Sequence, residues 1–347
     1  MTATVGSFMH AQNTRHVRAW LAPRPPQLLT LVLLLGTACA MPSEDDEPAL
    51  PQDSDLPEPG DTVDTDKPDP VDPPTSDETP PRTLKSGVYN VTFDGLERRF
   101  RLTVPESVSS DSPLIIALHG YGSNANTLQG YSGLDALAET QGAVVAYPQS
   151  TRDNFGYTCW NVGYCNNNDI DDVGFLRSII EQVTSDQGLD DVIVTGMSNG
   201  GDMTYRMACE ADDVVSMAAP ITGCMMTWLK DTCAPATPPP VVHIHGTSDG
   251  ITLYDGDPTY TGGGYEGTEA SIGHLTGLHG AASSDIDDTT YDDVIVTTWT
   301  TDDGWPAAKL FARQGGGHQW PTGAPNYELD TTEVIWTFYA DSVLDAP

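Results

Sequence analysis

VTGMSNGGDM, residues 194–203, sets a serine among glycines directly after the β-branched run Val192-Ile193-Val194 and directly before a stretch of helical character. Gly196-Met197-Ser198-Asn199-Gly200 has the pattern G-x-S-x-G, in which small residues permit a crowded strand-to-helix turn that exposes the serine hydroxyl. The five-residue pattern by itself also describes an ordinary glycine-rich turn. Its meaning therefore rests on what the rest of the chain supplies.

Three further pieces answer it. The strand-like VVHIH (241–245) runs into Gly246-Thr247-Ser248-Asp249-Gly250, which places an aspartate just past a strand's carboxyl end, where open α/β sheets bind ligands. Alone, Ser-Asp-Gly is simply good turn chemistry. Gly315-Gly316-Gly317-His318-Gln319-Trp320-Pro321 puts a histidine in a loop that is a poor packing site. His119, His243 and His245 flank the same sheet edge, and each is read as a satisfied structural histidine. PLIIAL (113–118) leads into His119-Gly120-Tyr121-Gly122, a loop placed to offer a backbone N–H. The expected oxyanion donors are the amides of Tyr121 and of Asn199, the residue after the serine.

Strand-like and helix-like segments alternate from about residue 86 onward. Pro113–Leu118, Ala143–Tyr147, Val192–Val194 and Val241–Ile244 are near-continuous apolar runs of the kind covered on both faces. After the cap candidates Asp171-Asp172, Leu176, Ile179, Ile180 and Val183 recur with helical spacing. Asp330-Thr331-Thr332-Glu333 opens the last helix as a capping box. VYNVTF and RRFRLTV read as an antiparallel pair turning at Asp94-Gly95. The implied class is α/β, with a mostly parallel sheet, helices on both faces and an N-terminal antiparallel hairpin.

The chain order Ser198, Asp249, His318 is that of the α/β-hydrolases. LHGYGSN, AYPQS, CWN, DDVGFLRSII, VTGMSNGGDMTYRMAC, HGTSDG and GGGHQWPTG together resemble the esterases of that fold that include polyhydroxybutyrate depolymerases, feruloyl esterases and acetylxylan esterases. The resemblance covers about residues 86–347. It implies a serine esterase of the α/β-hydrolase fold, with Ser198 as nucleophile, His318 as base and Asp249 as its orienting acid. One stretch departs: where relatives often carry a cysteine after Asn-Gly, this chain reads TGLHGAASS (276–284). Trp160 and Trp320 are candidate flat surfaces for an aromatic acyl group, a sugar or a polyester chain, with half-buried packing the competing reading for each. No metal or other cofactor is implied; the acidic runs 166–172 and 285–293 lack EF-hand spacing and read as loops and a helix cap. Rival readings are a polyhydroxybutyrate depolymerase, a peptidase and an inactive binding protein. The expected partner is an ester substrate, polysaccharide-linked or polyester.

The chain of 347 residues has a net charge of −35, which argues against nucleic-acid partners. Residues 1–40 read as an export signal, with Arg15, Arg18 and Arg24 before LLTLVLLLG (28–36). Ala38-Cys39-Ala40 suits ordinary cleavage, and LGTAC suits lipidation at Cys39, which would be the one tie to a membrane. Residues 41–85 read as a disordered spacer, since fourteen acids fall between Glu44 and Glu78 among prolines and few apolar residues. Residues 86–347 are the expected catalytic domain. Cys159/Cys165 and Cys224/Cys233 are close enough in sequence to bridge, leaving Cys209 as a buried thiol, with Cys209 to Cys224 or Cys233 left open.

Overall fold

A computed structural model describes residues 83–165, 169–281, 283–344 and 346. The export signal, Cys39 and the spacer up to residue 82 lie outside the described residues. A ten-stranded sheet carries the fold, in the order β1-β2-β4-β3-β5-β6-β7-β10-β9-β8. Its centre is parallel: β4 (Val144–Pro148), β3 (Leu114–Leu118), β5 (Val192–Met197), β6 (Met217–Ile221), β7 (Val241–Gly246) and β10 (Pro306–Arg313). Of these, β3, β4, β5 and β7 read as apolar runs in the sequence because both of their faces are covered. On β3, Leu114, Ile116 and Leu118 point into one core with Phe175, Leu176 and Tyr205; Ile115 and Ala117 point into the other with Leu128, Val334 and Phe338. Helices α3 (Asp172–Gln187) and α4 (Asn199–Glu210) cover the first face, and α1 (Ala125–Ser132), α2 (Leu134–Gln141) and α7 (Thr331–Tyr339) the second.

The local signals act as their chemistry dictates. β1 (Gly87–Phe93) and β2 (Leu96–Thr103) pair antiparallel, Phe93 opposite Leu96, and both turn residues take positive φ, Asp94 at 49° and Gly95 at 74°. That is a two-residue turn whose twist matches the strands. The Asp171 carboxylate accepts from Gly174 N at the start of α3, and Asp330 accepts from Thr332 N and Glu333 N at the start of α7.

Four expectations change. The sheet ends in two further antiparallel pairings, β9 (Val294–Thr300) against β10 and β8 (Ser283–Asp287) against β9, so that the acidic run 285–293, a loop by its sequence, begins in a strand. Asp287 closes its turn by accepting from Thr289 N at 2.8 Å and Thr290 N at 3.2 Å. The folded unit also starts earlier than residue 86: Leu84 is buried, its amide donates to Asp186 at 2.9 Å and its carbonyl accepts from Gln187 at 3.0 Å. Asp172, read with Asp171 as a cap, instead turns inward to pair with Arg98 at 2.7 Å. Finally, Cys159–Cys165 bridges as expected, but Cys233 takes Cys209, the pairing left open, rather than Cys224, so the buried thiol is Cys224 and not Cys209. Helix α5 (Thr227–Thr232) carries Cys233 away from Cys224 and onto the end of α4, where its Cα lies 5.0 Å from that of Cys209.

Candidate active site

The parallel strands deliver every candidate residue to one edge of the sheet. Ser198 sits between β5 and α4 with φ 57° and ψ −123°. A side-chain-bearing residue in such a conformation costs on the order of 1–3 kcal/mol and persists only where its surroundings impose it. They do so here through glycine. A Cβ on Gly200 would lie 2.2 Å from the Leu118 carbonyl oxygen, and one on Gly196 would lie 2.4 Å from that of Gly200. No other residue type lets α4 start this close to β3 and β5. The Ser198 amide donates to the Ile221 carbonyl at 2.9 Å, which fixes the turn to the neighbouring strand.

Asp249 and His318 come together from the ends of β7 and β10, with His318 Nδ1 2.7 Å from Asp249 Oδ2. Both partners of that bond are fixed. Asp249 Oδ1 accepts from the amides of Ile251 and Thr252 at 2.8 and 3.1 Å, and its Oδ2 also lies 3.3 Å from His245 Nε2. Burial pushes the Asp249 carboxyl up, but the hydrogen bonds from His245, His318 and Ile251 outweigh it and hold the group well below the usual carboxylate range. His318 therefore faces a lasting negative charge through Nδ1. Its ring is partly exposed, and it lines a cavity of about 430 Å³ together with Ser198.

The backbone around the two expected donors, Tyr121 and Asn199, is held by hydrogen bonds. The Gly120 carbonyl accepts from His119 Nδ1 at 2.9 Å and from the Ser123 amide at 3.1 Å. In a trans peptide the N–H points opposite to the C=O, so those two bonds turn the Tyr121 amide the other way. His119 Nε2 accepts from the Ser150 amide at 3.2 Å, which puts the ring proton on Nδ1. Burial lowers His119 to about 4, so the ring stays neutral. Gly120 itself packs on the serine: a Cβ there would stand 3.4 Å from Ser198 Cβ. Asn199 is the first residue of α4, whose leading amides have no intrahelical partner. Its side chain is committed elsewhere, accepting from Trp160 N at 2.8 Å and donating to Trp160 O at 3.1 Å.

That clamp settles the place of Trp160. Its ring is wholly buried and Nε1 donates to the His119 carbonyl at 2.9 Å, so the packing reading replaces the flat-surface one. Trp320 is largely buried too, bonded through Nε1 to Ser132 O at 3.1 Å, but it lines the cavity with Ser198, His318 and Tyr131. On the other side of Ser198 lies a second cavity of about 470 Å³, walled by Tyr121, Tyr164, Tyr260 and Tyr265 with the carboxyls of Asp153 and Asp202. Asp202 was not singled out in the sequence, although SNGGD places it one helical turn after Ser198. Its carboxyl accepts from Cys224 N at 2.8 Å and Tyr164 OH at 2.7 Å, and burial raises it to about 7.

A mostly parallel sheet that presents a strained serine, an acid and a histidine from the carboxyl ends of its strands defines an α/β-hydrolase. Residues 100–296, more than half of the chain, match the family described as Esterase PHB depolymerase, and the protein belongs to that family. It is 32% identical over 165 residues to feruloyl esterase B of Piromyces equi, a match covering 46% of this chain and 30% of that protein. It is 32% identical over 126 residues to poly(3-hydroxyalkanoate) depolymerase C of Paucimonas lemoignei, covering 35% of this chain and 30% of that one. The matches thus span less than a third of the length of either relative. Among solved structures, the acetyl xylan esterase from Aspergillus awamori superposes with a TM-score of 0.57 at 17% identity, over 73% of this chain and 98% of that one. That likeness is one of fold.

Proposed function

We propose that the protein is a serine carboxylic-ester hydrolase that removes feruloyl or acetyl groups from polysaccharides. The observation that carries this reading is the 2.7 Å Asp249–His318 bond on a cavity shared with the strained Ser198. In this mechanism His318 takes the Ser198 proton through Nε2 as the hydroxyl attacks the ester carbonyl. Asp249 holds the tautomer and stabilises the imidazolium. The oxyanion forms against the Tyr121 and Asn199 amides, each such donor contributing about 3 kcal/mol. His318 then protonates the leaving alcohol, and water releases the acid.

Tyrosines and carboxyls in the larger cavity suit a neutral, hydroxyl-bearing partner such as a sugar, while Trp320 gives the other cavity an aromatic wall. The likeness to a poly(3-hydroxyalkanoate) depolymerase supports the alternative, a short-chain polyester substrate. Initial rates on methyl ferulate, acetylated xylan and hydroxybutyrate oligomers separate them, with Ser198→Ala as blank. Preference for either plant-wall ester is the expected result; preference for hydroxybutyrate would transfer the assignment to the polyester.

We also infer export, with residues 1–40 as the signal, 41–82 as a spacer and Cys39 as the lipid-bearing residue. Two disulfides suit an oxidising compartment. Metabolic labelling with a palmitate analogue tests the anchor: label that survives Cys39→Ala would refute it.

A further inference from the structure

Behind Asp249, ending on the same carboxylate oxygen that His318 meets, lies a file of buried polar rings that the acyl-transfer chemistry does not require. Tyr205, His243 and His245 are each fully buried. Tyr205 OH is 2.8 Å from His243 Nδ1, His243 Nε2 is 3.2 Å from His245 Nδ1, and His245 Nε2 is 3.3 Å from Asp249 Oδ2. The file starts on α4, two turns after Ser198, and crosses β7 along the face that presents residues 243 and 245 together.

The partners decide where the protons sit. His245 Nε2 faces two acceptors, the Asp249 carboxylate and the Thr252 carbonyl at 3.0 Å, so it carries hydrogen. His245 Nδ1 then accepts, from His243 Nε2 and from the Thr268 hydroxyl at 2.9 Å. Burial, and next the nearby His245, hold His243 well below the ordinary histidine range, so that ring is neutral. With its hydrogen on Nε2, His243 Nδ1 accepts from Tyr205 OH. Every donor in the file thus points toward Asp249, and such a chain polarises each successive bond.

We propose that Tyr205, His243 and His245 are positioning residues, a one-way donor chain that holds Asp249 aligned for His318 and ties the helix bearing Ser198 to the loop bearing the acid. This rests on the esterase reading above. Spreading the Asp249 charge over His245 makes the carboxylate a weaker base toward His318. Removing that donor concentrates the charge on the His318 bond and strengthens it, which moves the acid limb of the activity profile to higher pH. The titratable groups around the chain are Asp202 on α4, Cys224 after β6, Tyr254 and Asp249 after β7, and His318 after β10. Asp202 also acts on His318 and is left intact in every variant.

The test uses the full-length protein with Tyr205→Phe, His245→Met and His245→Gln, the last keeping an N–H where Nε2 stood. Rates are normalised to active sites counted with a fluorophosphonate. The expected result for His245→Met is a kcat about tenfold lower, as for losing a hydrogen bond to a charged group, with KM within about twofold. The acid limb of its kcat/KM profile moves to higher pH by about half a unit. Tyr205→Phe shifts the limb in the same direction by less, and His245→Gln restores it. Unchanged limbs in both His245→Met and Tyr205→Phe overturn the proposal, and Tyr205→Phe, which removes one oxygen, answers even if His245→Met does not fold. Nitrogen-15 NMR of labelled histidine in the parent gives a reading independent of turnover: both His243 and His245 as Nε2–H tautomers support the chain, and either as Nδ1–H overturns it. Should the parent prove inactive while both tautomers are as assigned, the esterase reading fails and the chain stands as structure.

Discussion

His318 and Asp249, 69 residues apart in sequence, meet at 2.7 Å because β7 and β10 are neighbours in the sheet and both end at the same edge. Asp249→Asn keeps the shape but offers an N–H where His318 needs an acceptor. Its kcat on an activated acetyl ester should fall about 10⁴-fold, and its melting temperature should fall too, because the new NH2 faces N–H donors whichever way the amide is turned. A loss under tenfold would remove Asp249 from the mechanism.

The glycines of the elbow differ sharply from a glycine in open space. Gly200→Ala drives a methyl against the Leu118 carbonyl and should leave little folded, active protein. Gly130, exposed inside α1 with nothing within 4 Å of a Cβ, should accept alanine with a gain of about 0.5–1 kcal/mol. Urea midpoints for the two variants check the contrast.

Asp202 makes stability depend on pH in a definite sense. Its carboxyl is raised by burial to about 7 in the folded chain, against a little under 4 when unfolded. Its contribution is fully present below the unfolded value and is lost as pH rises through the folded one. The parent should therefore lose stability relative to Asp202→Asn between about pH 4 and 7, the difference levelling off above that. Melting curves of both proteins across that range are the check, and parallel curves would contradict it.

The two tryptophans should separate binding from stability. Trp320→Phe, at the cavity wall, should raise KM for methyl ferulate more than for a small acetyl ester. Trp160→Phe loses the bond to His119 O and should lower the melting temperature by a few degrees without altering that KM ratio.

Peptide mapping under non-reducing conditions should return Cys159–Cys165 and Cys209–Cys233, with Cys224 alkylated only after unfolding. Replacing Cys209 and Cys233 by serine should cost about 3 kcal/mol, since that bridge closes a loop of 24 residues in sequence separation.

Most of the parallel centre was legible in the sequence because buried strands leave continuous apolar runs and their ends carry glycine-flanked Ser198, Asp249 and His318. β6 escaped notice: MAAPI has a single β-branched residue and a proline, and it is a strand because β5 and β7 enclose it. β10, PAAKLFAR, lacks a β-branched residue altogether and is held by β7 and β9. Proximity found Cys159–Cys165 but left the partner of Cys233 open, because it says nothing of the helix between Cys224 and Cys233. His243, His245 and Tyr205 were visible as residues, but only their register across β7 and α4 lines them up behind the acid. Trp160 misled for a related reason: an aromatic in a loop near the site reads as a platform until its hydrogen bonds show it gripped from below.

The most direct test of the central claim is to react the purified protein with a fluorophosphonate and locate the adduct by peptide mass, with turnover of an activated acetyl ester followed in parallel. The account predicts one adduct per chain, on Ser198, with loss of turnover in proportion to labelling and neither labelling nor turnover in Ser198→Ala. An adduct on another residue, or a Ser198→Ala variant hydrolysing the ester at the parent rate, would contradict it.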